Sequence, residues 1–112
     1  MERYIAKAIA FDLALYGKRV IVCGSRAETK VIMSEVEKHL TGSIERVSRA
    51  HGRERIDMMN GGWLVPANSY DALRGYGVDV VVMDTATDAK HEDWGINAIL
   101  ATNTTNGEVI RV

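Results

Sequence analysis

Apolar residues recur at steps of three and four from the start of the chain: Tyr4, Ile5, Ala8, Ile9, Leu13 and Tyr16. That is the period of a helix. The run from Glu2 to Tyr16 holds neither Gly nor Pro, and Gly17 supplies a C-terminal stop. Arg19-Val20-Ile21-Val22-Cys23 follows, β-branched and nearly all apolar, which predicts a strand buried on both faces in a helix-covered parallel sheet. Gly24-Ser25 ends it. Ser25 with Glu28 three residues on forms a capping box for a second helix running to about Leu40. Ala27, Val31, Val36 and Leu40 are expected inward, Lys30, Glu35, Glu37 and Lys38 outward, with Thr41-Gly42 as the stop.

The middle of the chain changes rhythm. Ile44 to Val47 reads as a short strand. Glu54 to Met59 and Trp63 to Ala67 flank Asn60-Gly61-Gly62, a composition that supplies the positive φ of a tight hairpin. Pro66 lacks an amide hydrogen, so the second arm should end there or lie on an edge. Ser69 to Leu73 fits one helical turn. Val78 to Asp84 is the strongest buried strand, Thr87 to Leu100 a third helix that wavers at Gly95, and Glu108 to Val112 a last strand after Asn106-Gly107. Helices alternating with apolar strands predict an α/β fold: a mostly parallel sheet flanked by helices, with a β-hairpin insertion.

Composition narrows this to one domain. The 112 residues are 46% hydrophobic and 26% charged, an ordinary globular balance with room for one modest core over residues 1–112. A single cysteine, Cys23, leaves no internal disulfide, and no Cys/His spacing suggests zinc. Apolar runs are too short to span a bilayer and the N-terminus lacks a signal pattern, so a cytoplasmic protein is expected. Charge is uneven. Residues 1–55 carry 11 basic and 7 acidic side chains, residues 56–112 carry 3 and 8. Such a split suits a nucleic-acid face, a partner face or head-to-tail self-association.

Candidate chemistry is sparse. Arg46, Arg49, Arg53 and Arg55 fall within ten residues and are the candidate nucleic-acid contacts. No aromatic residues interleave with them for base stacking, which favours a solvated surface. Trp63 with Met58 and Met59 is the candidate interface, since Trp anchors interfaces and Met adapts to them, with core filling as the competing role. Trp94 is weighed in the same way, and Arg74 is expected to pair with Asp71 or Asp79. His39, His51 and His91 are scattered, Cys23 ends a buried strand, and no nucleophile elbow or carboxylate pair stands out. No cofactor, resident metal or enzymatic centre is expected.

Two segments resemble a known pattern. Ala10 to Val22 is similar to the helix and second strand that follow the phosphate loop of P-loop NTPases. Asn60-Gly61-Gly62, then Leu73-Arg74-Gly75-Tyr76, then Val78 to Asp84 resembles, in that order, the large terminase subunits of tailed phages and related helicase-type ATPases. There a hairpin precedes an "lRG" segment and the Walker B strand. The resemblance spans roughly residues 5–110. It implies a magnesium-holding position at Asp84, but Thr85 stands where the family has its catalytic Glu, and no Gly-x-x-x-x-Gly-Lys-[Ser/Thr] loop is found. The chain then reads as starting after that loop, with its central first strand missing, and as stopping near the fourth strand. Asp84 is accordingly expected to cap a turn rather than hold a metal.

These readings predict a non-catalytic, phage-type protein derived from a terminase or helicase ATPase core, a pseudo-ATPase with a degenerate Walker B, acting by protein binding or self-association. A homodimer, built through an intermolecular sheet or a shared apolar face, is the expected state, and a phage or host ATPase or DNA-processing protein the expected partner. Two alternatives stand beside it: a nucleic-acid-binding accessory protein using the arginines, and a residual nucleotide binder with Asp84 and a cradle at Gly24-Ser25-Arg26.

Overall fold

A computed structural model of the chain describes residues 3–40, 42–50, 54–68, 77–83 and 107–111. In chain order these form α1 (Arg3–Tyr16), β1 (Arg19–Cys23), α2 (Arg26–Lys38), β2 (Ile44–Ser48), β3 (Arg55–Met58), β4 (Trp63–Ala67), β5 (Val80–Met83) and β6 (Glu108–Arg111). The strands make one mixed sheet in the order β2-β3-β4-β1-β5-β6. β1 lies parallel to β4 on one side and to β5 on the other, and β6 continues the parallel set. The insertion β2-β3-β4 is antiparallel. The expected α/β sheet with its hairpin is therefore present. The turn expected at Ser69 to Leu73 and the helix expected at Thr87 to Leu100 lie outside the described residues.

One expectation is corrected. The resemblance implied a sheet lacking its central strand, yet β1 occupies the centre and has parallel partners along both sides. Its alternation explains the position: Val20 and Val22 enter one core with Leu64, Val80 and Val82, whereas Ile21 and Cys23 enter the other with Val65, Val81 and Met83. A strand apolar at every interior position is stable only where both faces are covered. Helices α1 and α2 supply Ala6, Ile9, Leu13, Ile32 and Val36 to the first core, and Leu40 joins them just beyond α2.

Phasing of α2 also differs from expectation. Thr29, Ile32, Met33 and Val36 face inward, while Ala27 and Val31 are exposed. The polar Thr29 tolerates burial because its hydroxyl donates to the backbone oxygens of Ser25 and Arg26, at 3.1 and 3.2 Å. Pro66 behaves nearly as predicted. β4 runs one residue past it, paired to β1, but β3 pairs only with Trp63 and Leu64, so Pro66 is an edge residue on that side alone.

The hairpin loop has a second role. Gly17 closes α1 at φ +59°, and the Asn60 side chain reaches the same place, its Nδ2 donating to the Leu13 and Ala14 carbonyls at 2.8 and 3.2 Å. These are carbonyls of the last helical turn; the Leu13 carbonyl also accepts from the Gly17 N–H at 3.2 Å. The Gly62 N–H donates back to Asn60 Oδ1 at 3.0 Å, and the Trp63 N–H to the Lys18 carbonyl at 3.2 Å. The loop thus locks the β3–β4 turn against the α1–β1 turn.

At the same end of the sheet, on the other side of β1, Asp79 joins β5 to β1. Arg19 donates to it from its backbone N–H at 2.8 Å and from both guanidinium positions, at 3.2 and 3.3 Å. Burial pushes the Asp79 carboxyl up, but the Arg19 hydrogen bonds and the charges of Arg19 and Lys18 outweigh it and hold the carboxyl below its ordinary value. A carboxylate depressed in the folded state stabilises the fold above its unfolded value and loses that contribution as pH falls through the folded one. We therefore expect Asp79→Asn to lower stability at neutral pH and to flatten its acid limb, read from denaturant midpoints between the neutral and acid ranges. An unchanged acid limb would remove Asp79 from the account.

Candidate functional site: the turn between β1 and α2

In an open α/β sheet, ligands bind beyond the carboxyl ends of the parallel strands, where neighbouring connections diverge. Here that point is the end of β1. Cys23 is in register with Ala67 of β4 and Met83 of β5, and two residues, Gly24 and Ser25, connect it to α2. Asp84, the next residue after β5, lies outside the described residues.

This location reveals what the linear reading missed. Strand, glycine turn and helix is the setting of a phosphate loop, and the pattern Gly-x-x-x-x-Gly-Lys-[Ser/Thr] can be laid on Gly24 to Val31. Gly24 and Lys30 match it. Thr29 replaces the second glycine, and Val31 replaces the hydroxyl residue. A search tolerating two substitutions, anchored on a buried strand, would have found it; the strict pattern does not. Gly24 to Val31 thus resembles a phosphate loop without its second glycine and its hydroxyl residue.

The geometry follows from those substitutions. A phosphate cradle needs successive backbone N–H groups turned into a concave loop, which the glycines permit. With Thr29 in place, the segment winds into helix from Arg26, and the turn is reduced to Gly24-Ser25. Its polar groups are used internally. Ser25 Oγ accepts from the Glu28 N–H at 3.3 Å, as the capping box predicts. Asn68 Nδ2, at the end of β4, donates to the Gly24 carbonyl at 3.2 Å and to Thr29 Oγ1 at 2.9 Å. The Gly24 N–H donates to the Ala67 carbonyl at 3.1 Å. The Glu28 carboxylate folds over the turn, with Oε2 3.0 Å from where a side chain on Gly24 would begin. The helix N-terminus therefore has its own anion beside it.

Neighbouring groups add no reactive chemistry. Burial pushes the Cys23 thiol up to about 12, so it stays protonated and inert. Among the described residues, no group of three His, Cys, Asp or Glu could hold a metal ion. No helix there is long and apolar enough to cross a membrane.

The described candidate arginines lie on or next to the β2–β3 ladder beside carboxylates, Arg46 being in register with Asp57 and Arg55 with Ser48. Arg46 is exposed on the outer strand β2, whereas Arg49 pairs with Glu37 of α2. Arg55 Nε donates to Asp57 Oδ1 at 2.7 Å, and its guanidinium lies 5.0 Å from the centre of the Trp63 ring. Arg53 lies outside the described residues. Arg49 also borders a cleft of about 310 Å³ between α2 and the insertion, where Arg26 and Lys30 face Glu37 and Glu54 over Met33 and Ile56. Trp63 packs against the second core and beneath Arg55. Met58 and Met59 do not form one surface: alternation along β3 buries Met58 in the core and leaves Met59 exposed beyond the strand end.

No protein-family model and no curated protein sequence matches the chain. Among solved structures, it is similar to the large terminase ATPase domain of Thermus phage P74-26, with a TM-score of 0.70 at 17% sequence identity. The match covers 96% of this chain and 52% of that one, so the chain spans about half the length of its structural neighbour. The molecule has a terminase ATPase-like α/β fold.

Proposed function

We propose that this chain is a pseudo-ATPase: a terminase-like domain that neither binds nor hydrolyses nucleotide and acts through protein contacts, self-association among them. The closed β1–α2 turn carries the reading. Phosphoryl transfer depends on positioning and charge stabilisation by the loop backbone, its lysine and a magnesium-bound hydroxyl. Thr29 removes the backbone cradle and Val31 removes the hydroxyl. Lys30 is retained, but a turn into α2, on a helix whose N-terminus already has Glu28 beside it. The repulsion between that carboxylate and a triphosphate works against residual binding. Pairing of Arg49 and Arg55 with their own carboxylates likewise favours protein contacts over a nucleic-acid face. An ATPase of the same fold, or another DNA-processing protein, is the class of partner this reading points to.

Calorimetric titration with Mg-ATP, together with a phosphate-release assay, tests it. The expected result is no saturable heat and no release above a protein-free blank. A saturating isotherm at submillimolar ligand would overturn the reading.

A further inference from the structure

We infer that the outward face of α1 is a self-association surface, on which a second copy of this chain packs its own α1 antiparallel about a two-fold axis. This rests on the self-association reading above and names its surface.

The inner face of α1 is spent on the core through Ala6, Ile9, Ala10 and Leu13. Its outer face is apolar as well. Tyr4, Phe11 and Leu15 are 77%, 57% and 61% exposed, and Ala8 between them is exposed too. At 100° per residue these four fall in a strip about 60° wide. Their spacing of four, three and four is that of a coiled-coil seam, which another helix fits. Among the described residues α1 packs on α2 and β1 by its inner face, and this second apolar strip is left exposed.

The seam complements itself. An axis between Ala8 and Phe11 sets Tyr4 opposite Leu15 of the second copy, and the small Ala8 opposite its large Phe11. A parallel arrangement instead sets Phe11 on Phe11 and Ala8 on Ala8, a clash beside a gap. Charges stay outside the strip, with Lys7 on one side and Asp12 on the other, the latter 3.5 Å from Lys18. Tyr16, also exposed, lies outside the strip, beyond Asp12. At ~150–250 Å² for a fully buried aromatic, these partly exposed residues offer roughly 450 Å² per copy, close to the ~1,000 Å² total that a specific interface requires. Sheet extension is the weaker route. Outer strand β2 presents Glu45 and Arg46 at a register irregularity, and outer strand β6 has four residues, both features that resist edge pairing.

Light scattering on the full chain at about 100 µM should give twice the chain mass. Phe11→Glu and Leu15→Lys, both outside the core, should give the single mass with an unchanged circular dichroism spectrum, while Val31→Glu on the exposed side of α2 stays dimeric. Tyr4→Cys mixed with Leu15→Cys should yield a crosslinked pair under mild oxidation, and neither variant alone should. A single mass for the unaltered chain overturns both this surface and the self-association reading. A dimer that survives both charge variants, or fails to crosslink in the mixture, overturns the surface and leaves self-association standing.

Discussion

Gly62→Ala should destabilise the fold by about 3 kcal/mol or more, in the range reserved for changes that strain the backbone or break a buried network. Gly62 has no methyl-sized space beside it. A Cβ there would lie 2.9 Å from the Lys18 carbonyl oxygen and 2.9 Å from the Gly17 carbonyl carbon. Both are backbone atoms of the α1–β1 turn, so neither can swing away. To admit the methyl, the hairpin loop must lift, and the Asn60 side chain then loses the Leu13 and Ala14 carbonyls. Gly61 is the contrasting neighbour, with φ +94° and nothing within 4 Å of its Cβ position. Its replacement by Ala costs conformational strain alone, about 1 kcal/mol. Denaturant midpoints for the two variants decide the matter. Equal losses would mean that the loop is held by its turn geometry and not by docking on α1.

Leu13→Ala should cost about 3–4 kcal/mol, the cost of lost burial plus a cavity. Leu13 is fully buried among Ala6, Ile9 and the sheet, in the same turn whose carbonyl Asn60 holds. Leu15→Ala, two positions along, removes the same atoms from an exposed side chain and should stay within about 0.5 kcal/mol of the parent when measured at dilution. A large loss at Leu15 in dilute solution would mean that α1 is rotated from the position described here.

That pair also marks the limit of what the sequence discloses. Helix α1 was plain from its period, but Tyr4, Ala8 and Tyr16 repeat in step with Ile9 and Leu13, and only the structure separates the outer set from the inner. An apolar pattern shows which residues avoid water, and a helix apolar on two sides leaves its orientation open. In α2 the expected inward positions Val36 and Leu40 are buried, but Thr29, Ile32 and Met33 take the places expected for Ala27 and Val31; a hydroxyl satisfied within its own turn can be buried, which an apolar pattern does not register. Strands were more transparent. β1 and β5 are runs of β-branched residues, and period-two alternation assigns each side chain to a face. Sheet order was hidden, because β1 pairs with strands more than forty residues distant in sequence. With it was hidden the likeness of Gly24 to Val31 to a phosphate-loop pattern, which stands out only once β1 is known to be central. The Asn60-Gly61-Gly62 turn was legible as a hairpin, but its grip on α1 was not, since that depends on a contact forty-seven residues away.

At the β1–α2 turn Glu28 and Asn68 stand where a phosphate would have to lie. Amide spectra of the ¹⁵N-labelled chain, recorded while Mg-ATP is added into the millimolar range, address this at the atoms concerned. The account predicts that the Gly24, Ser25 and Glu28 signals stay in place throughout. Saturable shifts concentrated on those three amides would contradict it, because they would mean that Glu28 and Asn68 yield the turn to a phosphate.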